Sequence, residues 1–309
     1  GGLDHSVRIW SIKPLANKEL EADESSHKML CYLDQHQGAV NCVRWGVPDP
    51  KLGPCLASGS DDQTIVLWRQ TAQVNSGFGT SHKSVEGWRS VGVLRGHEGD
   101  VTDLNWSYGD ELLASCSVDN RVMIWDSVSH ARVAVLSGHT NLVKGVVWDP
   151  VGTYLASQGD DRALIVWRTS DWAVHKRVEA PFKDSRQFSS TFFHRLSWSP
   201  DGQHLSAPHA YSAPKHIAAV LSRQEDWNMA LSFVGHSQPV VVVRFNQFLF
   251  YPFTKPEKGG GGAGAGGDTT TASAAAAASA STPQVDTSAR TSTFCAVGSQ
   301  DCNISIWAT

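Results

Sequence analysis

The sequence predicts an all-β protein built from a repeated unit of four short strands, and two observations carry this prediction. Tryptophan is frequent, with 12 residues in a chain of 309. Five of these tryptophans close short aliphatic runs, and an aspartate lies six positions before each of them. The pairs are Asp4 and Trp10, Asp62 and Trp68, Asp119 and Trp125, Asp161 and Trp167, and Asp301 and Trp307. A motif that recurs at one spacing indicates a repeat protein.

The period of the repeat shows what each unit contains. Asp119 and Asp161 are 42 residues apart, and His97, which follows a glycine, precedes Trp125 by 28 residues, a separation that recurs in the next unit. Within one unit, the short apolar runs VTDLNW, LLASCS, RVMIW and ARVAVL are separated by turn residues. Four strands in one such period correspond to one blade of a β-propeller, and the Gly-His pair with a terminal tryptophan resembles the WD40 repeat.

The repeats assign strands to blades in chain order. Each unit supplies the outer strand d of one blade and strands a, b and c of the next, so residues 7–10 form strand c of a first blade. Blades two to five are predicted at about 40–94, 101–136, 143–178 and 193–233, and the last of these lacks the Asp and the Trp. Blade six has strand a at 240–245 and strands b and c at 294–307. We therefore predict a single WD40 propeller domain over residues 1–309, seven-bladed in the intact protein and truncated here at both ends, with about five to six blades present.

A low-complexity stretch separates strands a and b of blade six. His236 and Trp307 are 71 residues apart, and the surplus falls at residues 248–290, which include GGGGAGAGG and TTTASAAAAASAST. A tract of Gly, Ala, Ser and Thr buries too little apolar surface to offset the entropy of ordering. We predict a disordered insertion at 248–290, with a short helix in the alanine run as the alternative.

Composition argues against several classes of function. The chain is 41% hydrophobic and 18% charged, and its formal net charge of −4 gives no support to direct, sequence-specific binding of nucleic acid. No apolar run reaches the roughly 18 residues that a membrane span needs. The six cysteines form no CxxC pair and match no common zinc spacing, so we predict free thiols, no metal site and no cofactor.

Three repeats contain a serine, a histidine and an aspartate, the residues of a nucleophilic triad. An enzyme polarises one serine beside one oxyanion hole, whereas here the same spacings recur from blade to blade. We predict instead a structural hydrogen-bond chain, in which the indole N–H reaches the serine, the serine bonds one imidazole nitrogen, and the aspartate bonds the other. The residues are His36, Ser58, Asp62 and Trp68; His97, Ser115, Asp119 and Trp125; and His139, Ser157, Asp161 and Trp167.

Blade six and two acidic pairs differ from the rest of the repeat pattern. Val297 stands where the network serine is expected, so we predict an incomplete network in blade six. The pairs Asp61-Asp62 and Asp160-Asp161 could serve as general acid and base, but both fall in predicted b–c turns, where aspartate accepts backbone N–H groups. We predict no catalytic residues and no enzymatic activity.

Segments outside the repeat motif resemble the amino-terminal propeller of the HIRA family, the WD40 subunits of replication-independent histone chaperone complexes. The resemblance covers about 27–250 and 294–307 and includes linker residues that a generic repeat does not specify. These are WDPVG at 148–152, ASQ at 156–158 and WRTSDW at 167–172. The low-complexity insertion departs from the family in composition.

The resemblance implies a nuclear scaffold subunit that takes part in nucleosome assembly outside replication and in transcription-linked chromatin regulation. It implies that the propeller docks a ubinuclein-type subunit, with histones handled by the complex as a whole. One alternative is the related WD40 subunit of chromatin assembly factor, which acts behind replication forks. Another is a generic WD40 adaptor, such as a ubiquitin-ligase substrate receptor.

Four residues of blade four are candidates for partner contact, because no predicted network needs them. They are Asp160, Arg162, Arg168 and Trp172. Exposed tryptophan and arginine are enriched among the residues that dominate protein interfaces. Ordinary packing at the rim of the propeller is the alternative for all four.

Overall fold

A computed structural model of the chain describes residues 1–23, 28–48, 53–72, 84–183, 191–247 and 293–308. Within these ranges the protein forms six separate antiparallel sheets, of which four have four strands, one has three and one has two. This is the predicted all-β propeller, and the strands fall where the repeat assigned them. The predicted insertion at 248–290 lies outside the described residues.

The strands follow one another as meanders in which chain neighbours pair. Blade one contains β1 (Val7–Trp10) and β2 (Met29–Leu33). Blade two contains β3 (Val40–Trp45), β4 (Cys55–Ser60), β5 (Thr64–Thr71) and β6 (Gly87–Arg95). Blade three contains β7 (Val101–Trp106), β8 (Leu112–Ser117), β9 (Arg121–Asp126) and β10 (Arg132–Ser137). Blade four contains β11 (Val143–Trp148), β12 (Tyr154–Gly159), β13 (Leu164–Arg168) and β14 (Val174–Val178).

The remaining strands complete the last two blades. Blade five contains β15 (Ser197–Trp198), β16 (His204–Ser212), β17 (Lys215–Ser222) and β18 (Asn228–His236). Blade six contains β19 (Val240–Phe245), β20 (Phe294–Ser299) and β21 (Ile304–Ala308). Two short helices that the repeat pattern did not predict, α1 (Lys13–Ala16) and α2 (Lys18–Ala22), connect β1 to β2, and a 3-10 turn at Ala180–Phe182 follows β14.

The apolar core is divided among the gaps between neighbouring blades. Side chains alternate along each strand, so every inner sheet presents one face to the blade before it and one to the blade after it. Between blades two and three, Ile65 and Leu67 pack with Leu104 and Leu113, all of them buried. Comparable clusters fill the other gaps. Burial of one such side chain stabilises a fold by about 1.5–3 kcal/mol, so the blades hold one another in place.

Blade five forms a complete sheet without the repeat motif. Ala207 and Leu221 stand at the strand positions that hold the network serine and tryptophan in other blades. The indole of Trp227 is fully buried, and its ring centroid lies 5.4 Å from that of Trp198 in an edge-on contact. Apolar and aromatic packing therefore replaces the hydrogen bonds of the neighbouring blades.

The innermost strands of blades four, five and six are directly hydrogen-bonded. The backbone N–H of His194 donates to the carbonyl of Lys144 at 3.0 Å, and Arg195 exchanges backbone hydrogen bonds with strand β19. A Cβ at Gly145 would lie 1.7 Å from the His194 carbonyl oxygen. Only glycine fits at this position. Because glycine has no side chain, the innermost strands approach one another closely and enclose the centre of the ring.

The two ends of the ring carry different connections. We call the end with the a–b and c–d turns the a–b face; it includes Trp45, Tyr108 and Val151. We call the end with the b–c turns and the d–a connections the b–c face; it includes His97 and Asp119.

Candidate functional site

On the b–c face, blade three joins four side chains in one hydrogen-bonded chain. His97 Nδ1 lies 2.8 Å from Asp119 Oδ2, and His97 Nε2 lies 2.7 Å from Ser115 Oγ. The indole Nε1–H of Trp125 donates to the same serine oxygen at 2.8 Å. An imidazole that donates from Nδ1 to the carboxylate and accepts at Nε2 from the serine hydroxyl gives every group in this chain a partner.

Blades two and four have the same arrangement. In blade two the distances are 2.9 Å for His36 Nδ1–Asp62 Oδ2, 2.8 Å for His36 Nε2–Ser58 Oγ and 2.8 Å for Trp68 Nε1–Ser58 Oγ. In blade four they are 3.0 Å for His139 Nδ1–Asp161 Oδ1, 2.8 Å for His139 Nε2–Ser157 Oγ and 2.8 Å for Trp167 Nε1–Ser157 Oγ. The structure thus brings together every residue of the three predicted sets.

The network aspartate also holds the b–c turn. Asp119 Oδ1 accepts the backbone N–H of Arg121 at 3.0 Å, and Oδ2 accepts the N–H of Glu98 at 3.1 Å. Asn120, between the two ends of this turn, has a φ of +68°, in the left-handed region. The same turn position has a φ of +67° at Gln63, +58° at Arg162 and +64° at Cys302. In blades two, three, four and six, one carboxylate therefore fixes a tight turn as well as an imidazole.

Hydrogen bonding keeps these carboxylates ionised. Burial alone would raise the pKa of Asp161, but hydrogen bonds from His139, from a backbone N–H and from Arg177 lower this pKa to about 2. Burial likewise opposes the shift at Asp62 and Asp119, yet their hydrogen bonds lower both pKa values. The networks therefore contain a charged acceptor at neutral pH.

Blade six has a complete network, which contradicts the expectation drawn from Val297. His236 Nδ1 lies 3.2 Å from Asp301 Oδ2, and His236 Nε2 lies 2.9 Å from Ser305 Oγ. Trp307 Nε1 donates to the same Ser305 oxygen at 2.8 Å. Val297 and Ser305 face each other across strands β20 and β21. The serine has moved from strand b to strand c, and the aliphatic residue has moved the other way, so the expectation was wrong.

The network serines are unsuited to nucleophilic attack. Ser58, Ser115 and Ser157 are all 0% exposed, and each oxygen already contacts an indole N–H and an imidazole nitrogen. A nucleophile must reach its substrate. This geometry favours a structural role over a catalytic one.

Two of the candidate partner residues lie on the b–c face. Asp160 is in the b–c turn of blade four, where its carboxylate forms an ion pair with Lys144 Nζ at 2.6 Å. Arg162 follows in the same turn, and its guanidinium donates to the carbonyl of Lys183 at 3.4 Å. Asp160 is therefore already paired within the protein.

The other two candidates lie on the a–b face. Arg168 ends strand β13 and forms an ion pair with Asp171 at 2.7 Å. Trp172, in the c–d turn, packs edge-on against Trp148, with 5.9 Å between ring centroids. The five residues of β13 extend about 15 Å, so the four candidates do not form one patch.

The structure adds a charged cluster at the centre of the ring that the sequence analysis missed. Asp103, with a side chain 3% exposed, forms ion pairs with Arg44 and Arg195. Arg195 also donates to the carbonyl of Asn41 at 3.1 Å, so blades two, three and five meet there. Arg244 of blade six lies beside this cluster. Charged residues on innermost strands were the available signal, but their relative placement depends on how blades pack.

A cavity of about 530 Å³ opens from this cluster onto the a–b face. The ends of the innermost strands of blades two to six all line it. Its charged wall includes Arg44 and Arg244, and its aromatic wall includes Trp45, Trp106, Trp148 and Trp198. Such a mixture of aromatic side chains and a few converging charged groups is typical of a binding site.

Comparison with protein-family models gives a match to the CAF1B/HIR1 beta-propeller domain over residues 1–259. This match covers most of the chain. The chain belongs to the CAF1B/HIR1 beta-propeller family.

Curated relatives of this family agree with the assignment. The chain is 44% identical to Protein HIR1 of Cryptococcus neoformans over 258 residues, which are 83% of this chain and 28% of that protein. It is 42% identical to Protein HIRA of Homo sapiens over 311 residues, which are 98% of this chain and 27% of that protein. The chain therefore spans about a quarter of the length of these relatives.

A solved structure titled "Crystal Structure of Mitotic Checkpoint Complex" contains a chain with the same fold. Its TM-score is 0.64 at 18% identity, and the match covers 99% of this chain and 71% of that one. At this identity the likeness shows the propeller fold alone.

Three further features concern metal ions, membranes and the cysteines. No group of three or more His, Cys, Asp or Glu side chains within those ranges is arranged to hold a metal ion. No helix in them has the length and hydropathy to cross a membrane. All six cysteines are free thiols, and burial raises the pKa of Cys42 to about 11 and that of Cys295 to about 12.

Proposed function

We propose that the chain is the propeller of a non-enzymatic scaffold subunit in a histone chaperone complex. In this proposal the complex acts in the nucleus, assembles nucleosomes outside replication and takes part in transcription-linked chromatin regulation. The propeller docks a ubinuclein-type subunit, and it meets histones through the complex. The observation that carries the proposal is the family match over residues 1–259, supported by HIR1 and HIRA relatives at 38–44% identity.

The geometry of the blades supports the scaffold role. The Ser-His-Asp sets of blades two, three and four repeat one arrangement and bury their serines, as expected of an architectural role. The cavity on the a–b face instead offers charged and aromatic groups that a protein segment can contact. A propeller that binds through its loops fits a docking subunit.

Affinity purification of the chain from nuclear and cytoplasmic extracts, followed by mass spectrometry, tests this function. We expect a ubinuclein-type protein and histones from the nuclear extract. Recovery of a cullin adaptor without histones would contradict the proposal and favour a ubiquitin-ligase receptor. The same purification from a point variant of the network, Ser115→Ala, should recover the same partners as long as the variant is folded.

A second candidate function is that of the chromatin assembly factor subunit, because the description of the matching family names CAF1B beside HIR1. That subunit would act in replication-coupled assembly. Synchronised cells separate the two functions. Enrichment of a replication-clamp-linked complex in S phase supports the second function, and recovery of the ubinuclein-type subunit throughout the cycle supports the first.

A further inference from the structure

Exposed apolar side chains are concentrated on the a–b face. Tyr108 is 83% exposed, Val128 is 84% exposed and Val151 is 61% exposed, and all three lie in a–b or c–d turns. The turns of this face also expose Ile12, Leu15, Val47 and Val85. In the described connections of the b–c face, the corresponding residues are Leu3 and Phe192. Apolar surface gathered on one side of a protein marks an interaction site.

The centre of this face has more positive than negative charge. Three guanidinium groups, those of Arg44, Arg195 and Arg244, surround the single carboxylate of Asp103. Burial lowers the pKa of Arg244, and the neighbouring charge of Arg44 lowers it further. One carboxylate cannot neutralise three guanidinium groups, so the cavity has a positive field that favours an anionic group.

The other acids that line the cavity do not supply the missing charge. Asp149 is fully buried, accepts two backbone N–H groups of its own turn and pairs with Arg223 at 3.3 Å. Asp110 lies at the outer edge, where it accepts the backbone N–H of Val47. Neither carboxylate forms an ion pair with Arg244 in the described part of the chain.

Two buried N–H donors at the cavity lack acceptors among the described residues, whereas equivalent indole groups on neighbouring blades have them. Trp106 Nε1 donates to the carbonyl of Arg44 at 3.2 Å, and Trp148 Nε1 donates to the carbonyl of Asn105 at 3.0 Å. The equivalent indole N–H of Trp198, 3% exposed, has no hydrogen-bond partner among the described residues. The Nε–H of Arg44 has none there either. A buried donor without an acceptor costs about 1–3 kcal/mol, and a bound carboxylate could recover part of this cost.

We propose that the a–b face binds an acidic segment of a partner protein, with a carboxylate at Arg44 and Arg244 and an apolar side chain against the tryptophans of the cavity. Guanidinium groups bind carboxylates through paired, charge-assisted hydrogen bonds. The apolar turns around the cavity extend the contact. This inference rests on the proposed scaffold function, because it names the face and the chemistry of the docked subunit.

The surface chemistry favours an acidic peptide over a nucleic acid. A phosphate backbone would gain from the arginines but could not cover Tyr108, Val47 and Val151, whose side chains are largely exposed. The chain also has a formal net charge of −4, which opposes binding of an extended polyanion. A segment that alternates acidic and apolar residues complements both features.

Fluorescence polarisation with the whole 309-residue chain tests the proposal directly. The probe is a fluorescein-labelled peptide of alternating Glu or Asp with Leu or Phe, and its matched control has Gln and Asn in place of the acids. We expect the acidic probe to bind at least about tenfold more tightly than the amide probe, a difference of about 1.4 kcal/mol. Equal affinity for the two probes would overturn the proposal. A single-stranded oligonucleotide that displaces the probe at lower concentration than the unlabelled peptide would also overturn it.

Matched variants locate the contact. Arg244→Glu should weaken binding of the acidic probe at least about tenfold. The melting temperature of this variant should stay near that of the wild type, because the described hydrogen bond of the Arg244 side chain is a single one, to the Leu196 carbonyl. Arg121→Glu is the charge control, because Arg121 is a partly exposed arginine on the b–c face, and it should change the affinity less than about twofold. Equal loss in the two variants would show a non-specific charge effect and contradict the proposal.

Aromatic variants and a purification from nuclear extract complete the test. Tyr108→Ala should weaken binding several-fold, whereas Phe192→Ala on the b–c face should not. In extract, wild type and Phe192→Ala should recover the ubinuclein-type subunit, and Arg244→Glu should lose it. If the wild type recovers no chaperone subunit, the proposed function fails. If the wild type and Arg244→Glu recover the subunit equally, the proposed function stands and the assignment of the a–b face fails.

Discussion

The two faces of the ring use their polar groups in opposite ways. On the b–c face, each network histidine, serine and aspartate is paired within its own blade, and few large apolar side chains are exposed. On the a–b face, two arginines pair with one buried carboxylate and a third arginine lies beside them. A buried indole N–H there lacks a partner among the described residues, and apolar turns face solvent. The difference separates stability from recognition: substitutions on the first face should affect folding, and those on the second should affect binding.

The largest expected effect is the loss of a network aspartate. Asp119→Ala leaves His97 Nδ1–H and two backbone N–H groups without their acceptor, so we expect the free energy of unfolding to fall by about 2–4 kcal/mol. Asp126→Ala in the same blade is the matched control, because it removes only exposed hydrogen bonds in a c–d turn. It should cost less than about 1 kcal/mol. Chemical denaturation measures both, and equal losses would remove the distinction between the faces.

The exchanged residues of blade six allow a rescue experiment. Ser305→Val deprives Trp307 Nε1–H and His236 of their common partner, and we expect a loss of about 1–2 kcal/mol. Adding Val297→Ser restores the arrangement of the other blades and should recover most of that loss. Thermal unfolding of the single and double variants measures the effect. If the double variant is no more stable than Ser305→Val, the network of blade six requires its serine on strand β21.

Acid should weaken the b–c face in a defined pH range. The pKa of Asp161 is lowered in the folded protein to about 2 from an unfolded value near 3.8. Its stabilising effect is therefore complete above about pH 4 and is lost as the pH falls towards 2. The melting temperature of the wild type should drop across this range, and that of Asp161→Asn should drop less. Parallel pH profiles for the two proteins would argue against a network carboxylate as the titrating group.

The smallest expected effect separates the four candidate partner residues. Because Trp172 lies on the a–b face and packs on a tryptophan of the cavity, Trp172→Ala should reduce recovery of the partner several-fold. Arg162→Glu, on the opposite face, should leave recovery within about twofold. Quantitative mass spectrometry of the purified complexes measures both. Loss with Arg162→Glu alone would place the partner on the b–c face.

The blades could be predicted from the sequence because the residues that contact one another within a blade lie at fixed spacings along one repeat. The Asp-x5-Trp pairs located strand c, and the histidine spacing located strand a, so both the strands and the three networks follow from short-range patterns. In blade six the spacing alone gave the wrong prediction for the network. Ser305 lies two positions before Trp307, where other blades have Val, Met or Ile, and that polar residue was a visible signal of the exchanged network.

The central cavity could not be predicted in the same way. Arg44, Asp103, Arg195 and Arg244 lie on four different blades. Arg44 and Arg244 each follow the network histidine of their blade by eight residues, but this spacing does not show that the two side chains meet. Their meeting depends on the close packing of innermost strands, including the contact at Gly145 that only glycine permits. The four partner candidates of blade four were chosen because no network needs them, and chain proximity did not indicate that a strand separates them into two faces.

The thermal unfolding of Ser115→Ala tests most directly the claim that the b–c face is architecture. The substitution removes one oxygen and leaves the Trp125 indole N–H and His97 Nε2 without a partner in a fully buried position. We predict a melting temperature lower by about 5 °C, with the same partners recovered from nuclear extract at a temperature where the variant is folded. An unchanged melting temperature together with loss of the nuclear partners would contradict the account, because Ser115 would then act in function and not in stability.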